Sequence, residues 1–421
     1  MTKGIGRNAT LALLTLIYLF NFMDRQIMSV LAEPIKLELG LSDTQLGLLT
    51  GFMFALFYTT FGVPVAWLAD RTRRTWVIAA ACALWSGFCA ACAFATGFAT
   101  LAAARIGVAV GEAGGVAPSY SLIAERFPIA TRGRALAIYS LGVPLGLGAG
   151  TAAGGWIAAS FGWRAAFVAV AAPGLVLAAL LVLLVNEPAR VRQASEARTG
   201  SLGDAIAGFV RSPQLVLVAL SSALGAFACY GLMSWISAYL IRVLGMSLTE
   251  IGSWLSVTLA VGLGLGIWVS GALVDRLGAR DRRMYALIPG AALALGAPVL
   301  FAATRIDDWH LALPLFGLAL GLSIFYLAPS VAIVTELVAP EQRSTSSALM
   351  LLCLNLIGLG GGPFAIGAVS DWALAAHGTQ SLRVALAALS PMFLVAALAF
   401  AWSATALARG EADARQAISA S

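Results

Sequence analysis

Four ionisable side chains interrupt apolar stretches of this sequence: Asp24 and Arg25 in one, Arg105 and Glu112 in another. A charge at the centre of a bilayer costs about 3 kcal/mol on insertion scales, so each needs a reason to be there. On a helix, Arg105 and Glu112 are seven apart and share a face two turns apart. Asp24 and Arg25 diverge by about 100°. At a rise of 1.5 Å per residue, Asp24 lies about 4.5 Å to one side of the midplane and Arg105 about 7.5 Å to the same side. Glu112 lies about 3 Å to the other side. Asp24 and Arg105 therefore sit at similar heights with opposite signs, and Asp24 is the expected partner of Arg105. The four formal charges sum to zero. Protonating one carboxylate makes the set positive, which favours an anion, and a bound anion reciprocally favours the proton. Asp24 and Glu112 are the expected proton carriers, with Glu112 the stronger candidate. Arg105 and Arg25 are the expected anion partners.

Other chemistries find little support. His310 and His377, the only histidines, fall in predicted loops, and no acidic cluster with metal-ligand spacing occurs. Cys82, Cys89, Cys92, Cys229 and Cys353 all lie in apolar runs and read as packing residues. No cofactor, no metal and no enzyme activity are expected. The net charge of +6 comes from arginines in short loops, so no nucleic-acid partner is expected.

The elements that must position the charges are membrane spans. The chain is 60% hydrophobic and 11% charged, against about 25% charged in soluble domains. Twelve apolar runs of about 20 residues can be drawn, over 10–31, 46–67, 75–95, 99–121, 134–158, 164–185, 213–240, 249–273, 284–303, 309–333, 345–369 and 384–407. With the termini on the cytoplasmic side, inner segments hold 19 Lys and Arg against 5 in outer loops. That split fixes both termini inside. The expected fold class is all-α and polytopic: twelve transmembrane helices in two six-helix halves. The expected division is an N-terminal bundle over 1–185, a cytoplasmic linker over 186–212, a C-terminal bundle over 213–408 and a cytoplasmic tail over 409–421.

The halves repeat. Ser42–Gly47 (SDTQLG) returns as Ser247–Gly252 (SLTEIG), and Asp70-Arg71 returns as Asp275-Arg276, both 205 residues on. Glu125 and Arg132 return as Glu336 and Arg343, 211 residues on. Parallel six-helix repeats are the architecture of major-facilitator transporters. The loop run Gly271, Asp275, Arg276, Gly278, Arg280 is complete. Its first-half counterpart keeps Asp70, Arg71 and Arg74 but has Ala66 and Arg73 where glycines stand. A carboxylate and arginines at helix ends suit a lock that holds one conformation. The second half has no clear intramembrane charge and offers Tyr230, Ser234, Trp235, Tyr239, Tyr326 and Asn355 as polar or aromatic contacts; Tyr230, Trp235, Tyr326 and Asn355 join the expected substrate site. Gly146, Gly150 and Gly154 on the fifth run have the spacing of close helix contact.

NFMDR at 21–25, VGEAG at 110–114 and VPLGLGAGTAAGG at 143–155 resemble the Spinster-type branch of the major facilitator superfamily. The likeness covers nearly all of the first half, and the superfamily pattern covers the whole chain. The resemblance implies a proton-linked carrier working by alternating access, in a branch that in animals moves lysolipids and sphingosine phosphates. The anion:cation symporters of sugar and aromatic acids share the GWR of Gly162–Arg164, so a small organic acid or an exported drug is the alternative cargo. The partners implied are a small-molecule or lipid-like substrate, protons and the bilayer of a bacterial inner membrane, with the chain acting as a monomer.

Overall fold

The computed structural model describes residues 5–187, 202–278, 280–338 and 342–419, and these are helical almost throughout. Twelve spans are numbered here α1 (Arg7–Val30), α2 (43–71), α3 (Arg74–Cys92), α4 (98–126), α5 (129–161), α6 (163–184), α7 (Pro213–Arg242), α8 (248–277), α9 (Met284–Arg305), α10 (309–337), α11 (343–377) and α12 (Ser381–Ser419). Nine helices among the described residues are long and apolar enough to cross a membrane. Two of them, at 56 and 65 residues, are each long enough for two crossings at about 20 residues apiece. Every backbone polar group in hydrocarbon must find an internal partner, which is why so apolar a chain resolves into helices.

The sequence expectation drew a loop over 159–163. The chain instead turns there on one residue, Gly162, whose φ of +83° suits a residue without Cβ. Span α4 is broken where it was expected to be continuous. Its first helix ends at Glu112, and a second begins at Val116 after the Ala113–Gly115 turn. The repeat is visible in the backbone. Ser42 and Ser247 each close a capping box, with Gln45 and Glu250 respectively. Each box is followed by a π-helical turn, Leu48–Phe52 and Ile251–Leu255.

The face that carries the start of α1 and the end of α12 is called the terminal face, and the opposite one the far face. The halves meet along α1–α7, α2–α11 and α5–α8. Contact is closest toward the far face. A Cβ on Gly47 would stand 2.5 Å from the Pro363 carbonyl oxygen, and one on Gly155 would stand 2.5 Å from that of Leu248. Both neighbours are backbone atoms of the other half. Gly150 serves a different contact: a Cβ there would be 2.8 Å from Met23 Cα, so the glycine row of α5 seats α1 and fixes the rotation at which α1 presents its charges.

Candidate functional site

Across the packing of α1 on α4, the four membrane charges form two pairs. Arg105 Nη1 lies 3.5 Å from Asp24 Oδ1, with both side chains buried. Arg25 Nε donates to Glu112 Oε2 at 2.5 Å. Glu112 is therefore not the solitary acid that its height suggests. The turn of about 100° from Asp24 to Arg25 lets the longer side chain of Arg25 reach down to it. The two arginines differ in access: the Arg25 side chain is 17% exposed and the Arg105 side chain only 2%.

Aromatic rings surround the exposed arginine. The Arg25 guanidinium carbon lies 4.8 Å from the ring centres of Phe54 and Tyr58 and 5.1 Å from that of Phe22. Tyr18 meets Phe22 edge-on at 5.1 Å and stacks on Tyr139 at 4.4 Å. A cation framed by π faces is held in place while one edge stays free for a ligand. Sequence reasoning missed this cradle. Its signal was present: Tyr18, Phe22 and Arg25 fall at i, i+4 and i+7, and Phe54 and Tyr58 at i and i+4.

From the second half, Tyr230 on α7 is half-buried and within electrostatic reach of Arg25 and Tyr58. Asn355 is half-buried in the π-helical stretch Leu354–Gly361. The other two expected contacts belong to packing. Trp235 is buried and its indole N–H donates to the Pro363 carbonyl at 2.8 Å. Tyr326 is buried against Gly225. Tyr239 likewise donates its hydroxyl to the Thr304 carbonyl at 3.3 Å. A groove of about 540 Å³ between α8 and α10 is lined by residues such as Val261, Leu265, Pro314 and Leu318. No charged group lines it, so it does not do the chemistry of the pairs.

The far face carries a second charged cluster, none of it anticipated. Arg242, at the end of α7, donates to Glu33 Oε2 at 2.6 Å and to Asp43 Oδ1 and Oδ2 at 2.8 and 2.7 Å. Asp43 also accepts from Lys36 Nζ at 2.5 Å and from the Ser370 hydroxyl at 2.6 Å. Asp371 accepts the backbone N–H groups of Asp43 at 3.0 Å and Thr44 at 2.7 Å, capping α2 from the other half. Glu33, Lys36 and Asp43 come from the first half, and Arg242, Ser370 and Asp371 from the second. The hexapeptide repeat held the clue: Asp43 is a position where the copies differ, with Leu248 in its place. Nearby, Trp163 donates to Glu38 at 2.5 Å and Arg164 pairs with the same carboxylate, which holds Glu38 below the usual carboxylate range. The GWR run thus ties the short helix Ala32–Leu39 to α6.

The expected lock residues line the terminal face. Arg74 pairs with Glu125, and Arg71 lies 3.9 Å over the Trp67 ring. Gly271 is half-buried, while Asp275, Arg276 and Arg280 are exposed. The side chain of Asp70 lies outside the described residues. Glu336, the repeat partner of Glu125, accepts from the Tyr285 hydroxyl at 2.8 Å within its own half. The clasp between the halves is at the far face, while Asp275, Arg276 and Arg280 stand exposed at the terminal face.

With this geometry in hand, likeness to known proteins is informative. An "MFS-type efflux pump" of Mycolicibacterium smegmatis is 37% identical over 403 residues, covering 94% of this chain and 92% of that protein. Protein spinster homolog 1 of Homo sapiens is 28% identical over 395 residues, covering 87% of this chain and 74% of that one. The crystal structure of a bacterial homologue of the human lysosomal transporter Spinster, inward-facing and unoccupied, superposes with a TM-score of 0.86 at 29% identity, over 96% of this chain and 98% of that one. The profile of the Major Facilitator Superfamily matches residues 14–363. The chain is a membrane transporter, not an enzyme, and it belongs to the Major Facilitator Superfamily.

Proposed function

We propose that the protein is a proton-coupled secondary transporter in which a substrate anion and the Glu112 carboxylate compete for Arg25. The observation that carries this reading is the buried Glu112 paired with the one partly exposed arginine of the site. A proton on Glu112 releases Arg25 to the anion. An anion on Arg25 leaves Glu112 buried without its partner and draws a proton to it. Asp24, beside the more deeply buried Arg105, is the second proton carrier. Proton and anion then bind together, as in a symporter. The aromatic cradle suits a substrate with an anionic end and an apolar or ring-like end. The Spinster likeness supports an amphipathic anion such as a lysolipid or sphingoid phosphate. A small organic acid fits the same charges.

The arginine distribution supports cytoplasmic termini in a bacterial inner membrane, which makes the terminal face cytoplasmic and the present state inward-facing. The halves would span 1–185 and 213–408, and Asp70, Arg71, Arg74, Gly271, Asp275, Arg276 and Arg280 would lock the cytoplasmic face in the opposite state. A cysteine at Thr379 is then expected to react only from outside and one at Arg280 only from the cytoplasm; reaction of both from one side contradicts the orientation.

A second reading, export, is supported by the name of the mycobacterial relative. An exporter exchanging a cationic drug for protons would show the opposite pH dependence, because cation and proton compete for the acids. The deciding experiment is uptake of lysophosphatidylglycerol into proteoliposomes with an imposed pH gradient. The symport reading expects accumulation when the outside is acidic, rising up to about tenfold per pH unit for one coupled proton. Accumulation indifferent to the gradient contradicts it.

A further inference from the structure

At the level of the two ion pairs, four polar atoms are buried without a hydrogen-bond partner among the described residues: Asn21 Oδ1, Asp24 Oδ2, Arg105 Nε and Glu112 Oε1. The four residues are 1–3% exposed. Buried polar atoms are almost always satisfied, and a cluster of orphans calls for a ligand. Asn21 stands three residues before Asp24 and four before Arg25 on α1, and its side chain reaches Glu112. Asp24 and Glu112 are within electrostatic reach of each other.

Donor and acceptor arithmetic limits what fills this cluster. With both acids ionised it offers three acceptor oxygens and one donor, the Arg105 N–H. A buried water brings two donors and accepts from that N–H, so it satisfies two of the three oxygens. The last oxygen is satisfied once a proton sits on one of the carboxyls, because that oxygen then becomes a donor. We propose that Asn21 is the positioning residue of a shared-proton site, in which its amide and one bound water bridge Glu112 Oε1 to Asp24 Oδ2 so that the two acids carry a single proton between them.

The other ionisable groups that face the cluster are Tyr18 and Arg25 on α1, Tyr58 on α2, Cys89 and Cys92 on α3 and Tyr230 on α7. Span α5 contributes Gly146 and Gly150 to its contact with α1. None of these is a third carboxylic acid, so the proton has two carboxyl destinations, and Asn21 reaches Glu112 from the helix that carries Asp24. The step is a transfer only: the O–H bond on one carboxyl breaks as water passes a proton to the other, with no change in net charge.

The inference rests on the proton-coupled reading, and the test separates the two. The probe is the proton itself, followed by infrared difference spectra of the full chain in lipid vesicles titrated from neutral to acid pH. The wild type is expected to show one carboxyl protonation step that both Asp24→Asn and Glu112→Gln alter, and a water band that moves in isotopically labelled water. Asn21→Leu is expected to abolish that band and to uncouple the acids, so that the step splits into two, one altered only by Asp24→Asn and the other only by Glu112→Gln. Asn21→Ser, which keeps an oxygen, is expected to restore both features. An unsplit step in Asn21→Leu overturns the bridge, and so does a wild type whose spectrum is blind to labelled water, whether or not Asn21→Leu folds. A wild type in which neither acid substitution alters the protonation step overturns the proton-coupled reading as well.

Discussion

Arg242→Ala is expected to open the far face. The guanidinium holds Glu33 and Asp43 of the first half from the end of α7 in the second, and all three side chains are at most 8% exposed. Removing one partner of a buried pair is far costlier than never having had the pair, because the carboxylates stay buried. A loss of about 3 kcal/mol is in range, roughly a hundredfold in the balance between far-face-closed and far-face-open states. Lys36 offsets part of this for Asp43 but does not bridge the halves. Spin labels on the α1–α2 and α7–α8 loops are expected to move apart in the variant. Asp371→Asn is expected to act in the same direction with a smaller effect, since its amide keeps one acceptor oxygen for the backbone N–H groups of Asp43 and Thr44. Distances unchanged in Arg242→Ala would show that the bonds of Ser370 and Asp371 to the start of α2 and the close approaches at Gly47 and Gly155 hold the face without it.

The second large effect is expected at the Arg25–Glu112 pair. Arg25→Ala is expected to lower affinity for an anionic substrate by about a hundredfold or more, since a charge-assisted contact of roughly 3 kcal/mol disappears. Arg25→Lys is expected to recover part of the loss, because ammonium keeps the charge but not the planar fork. Glu112→Gln mimics the protonated acid. It is expected to keep, or tighten, anion binding and to preserve substrate exchange while losing accumulation driven by the pH gradient. Measuring binding and driven uptake on the same preparations distinguishes the two residues. Equal loss of both in Glu112→Gln would make the pair structural.

Helix rise alone located Asp24 and Arg105 at one level, because height on a helix follows from residue count. Rotation about the axis does not, and so the partner of Glu112 was illegible. Arg25 reaches it only because the glycine face of α5 fixes how α1 is turned, and that depends on contacts far along the chain. The spans were legible for the reason that makes them spans: hydrocarbon demands apolar runs. The break inside α4 was not, since the turn after Glu112 occurs inside apolar sequence; the boundary between α5 and α6 was legible, and only its sharpness, a corner on the single residue Gly162, was not. The far-face clasp joins residues 199 to 328 apart, a distance at which no periodicity operates. Trp235 and Tyr326 illustrate the reverse error. Their chemistry suits a ligand, yet large aromatic side chains are as useful for filling the gap between α7 and its neighbours.

The competition for Arg25 makes one quantity decisive, the direction of proton movement when substrate binds. Lysophosphatidylglycerol added to the purified protein in weakly buffered detergent, with a pH-indicator dye, reports it directly. If the anion displaces Glu112 from Arg25, the stranded carboxylate takes a proton from solution and the pH rises. Glu112→Gln then binds the lipid with no such change. Proton release on binding, or uptake that persists undiminished in Glu112→Gln, would contradict the account.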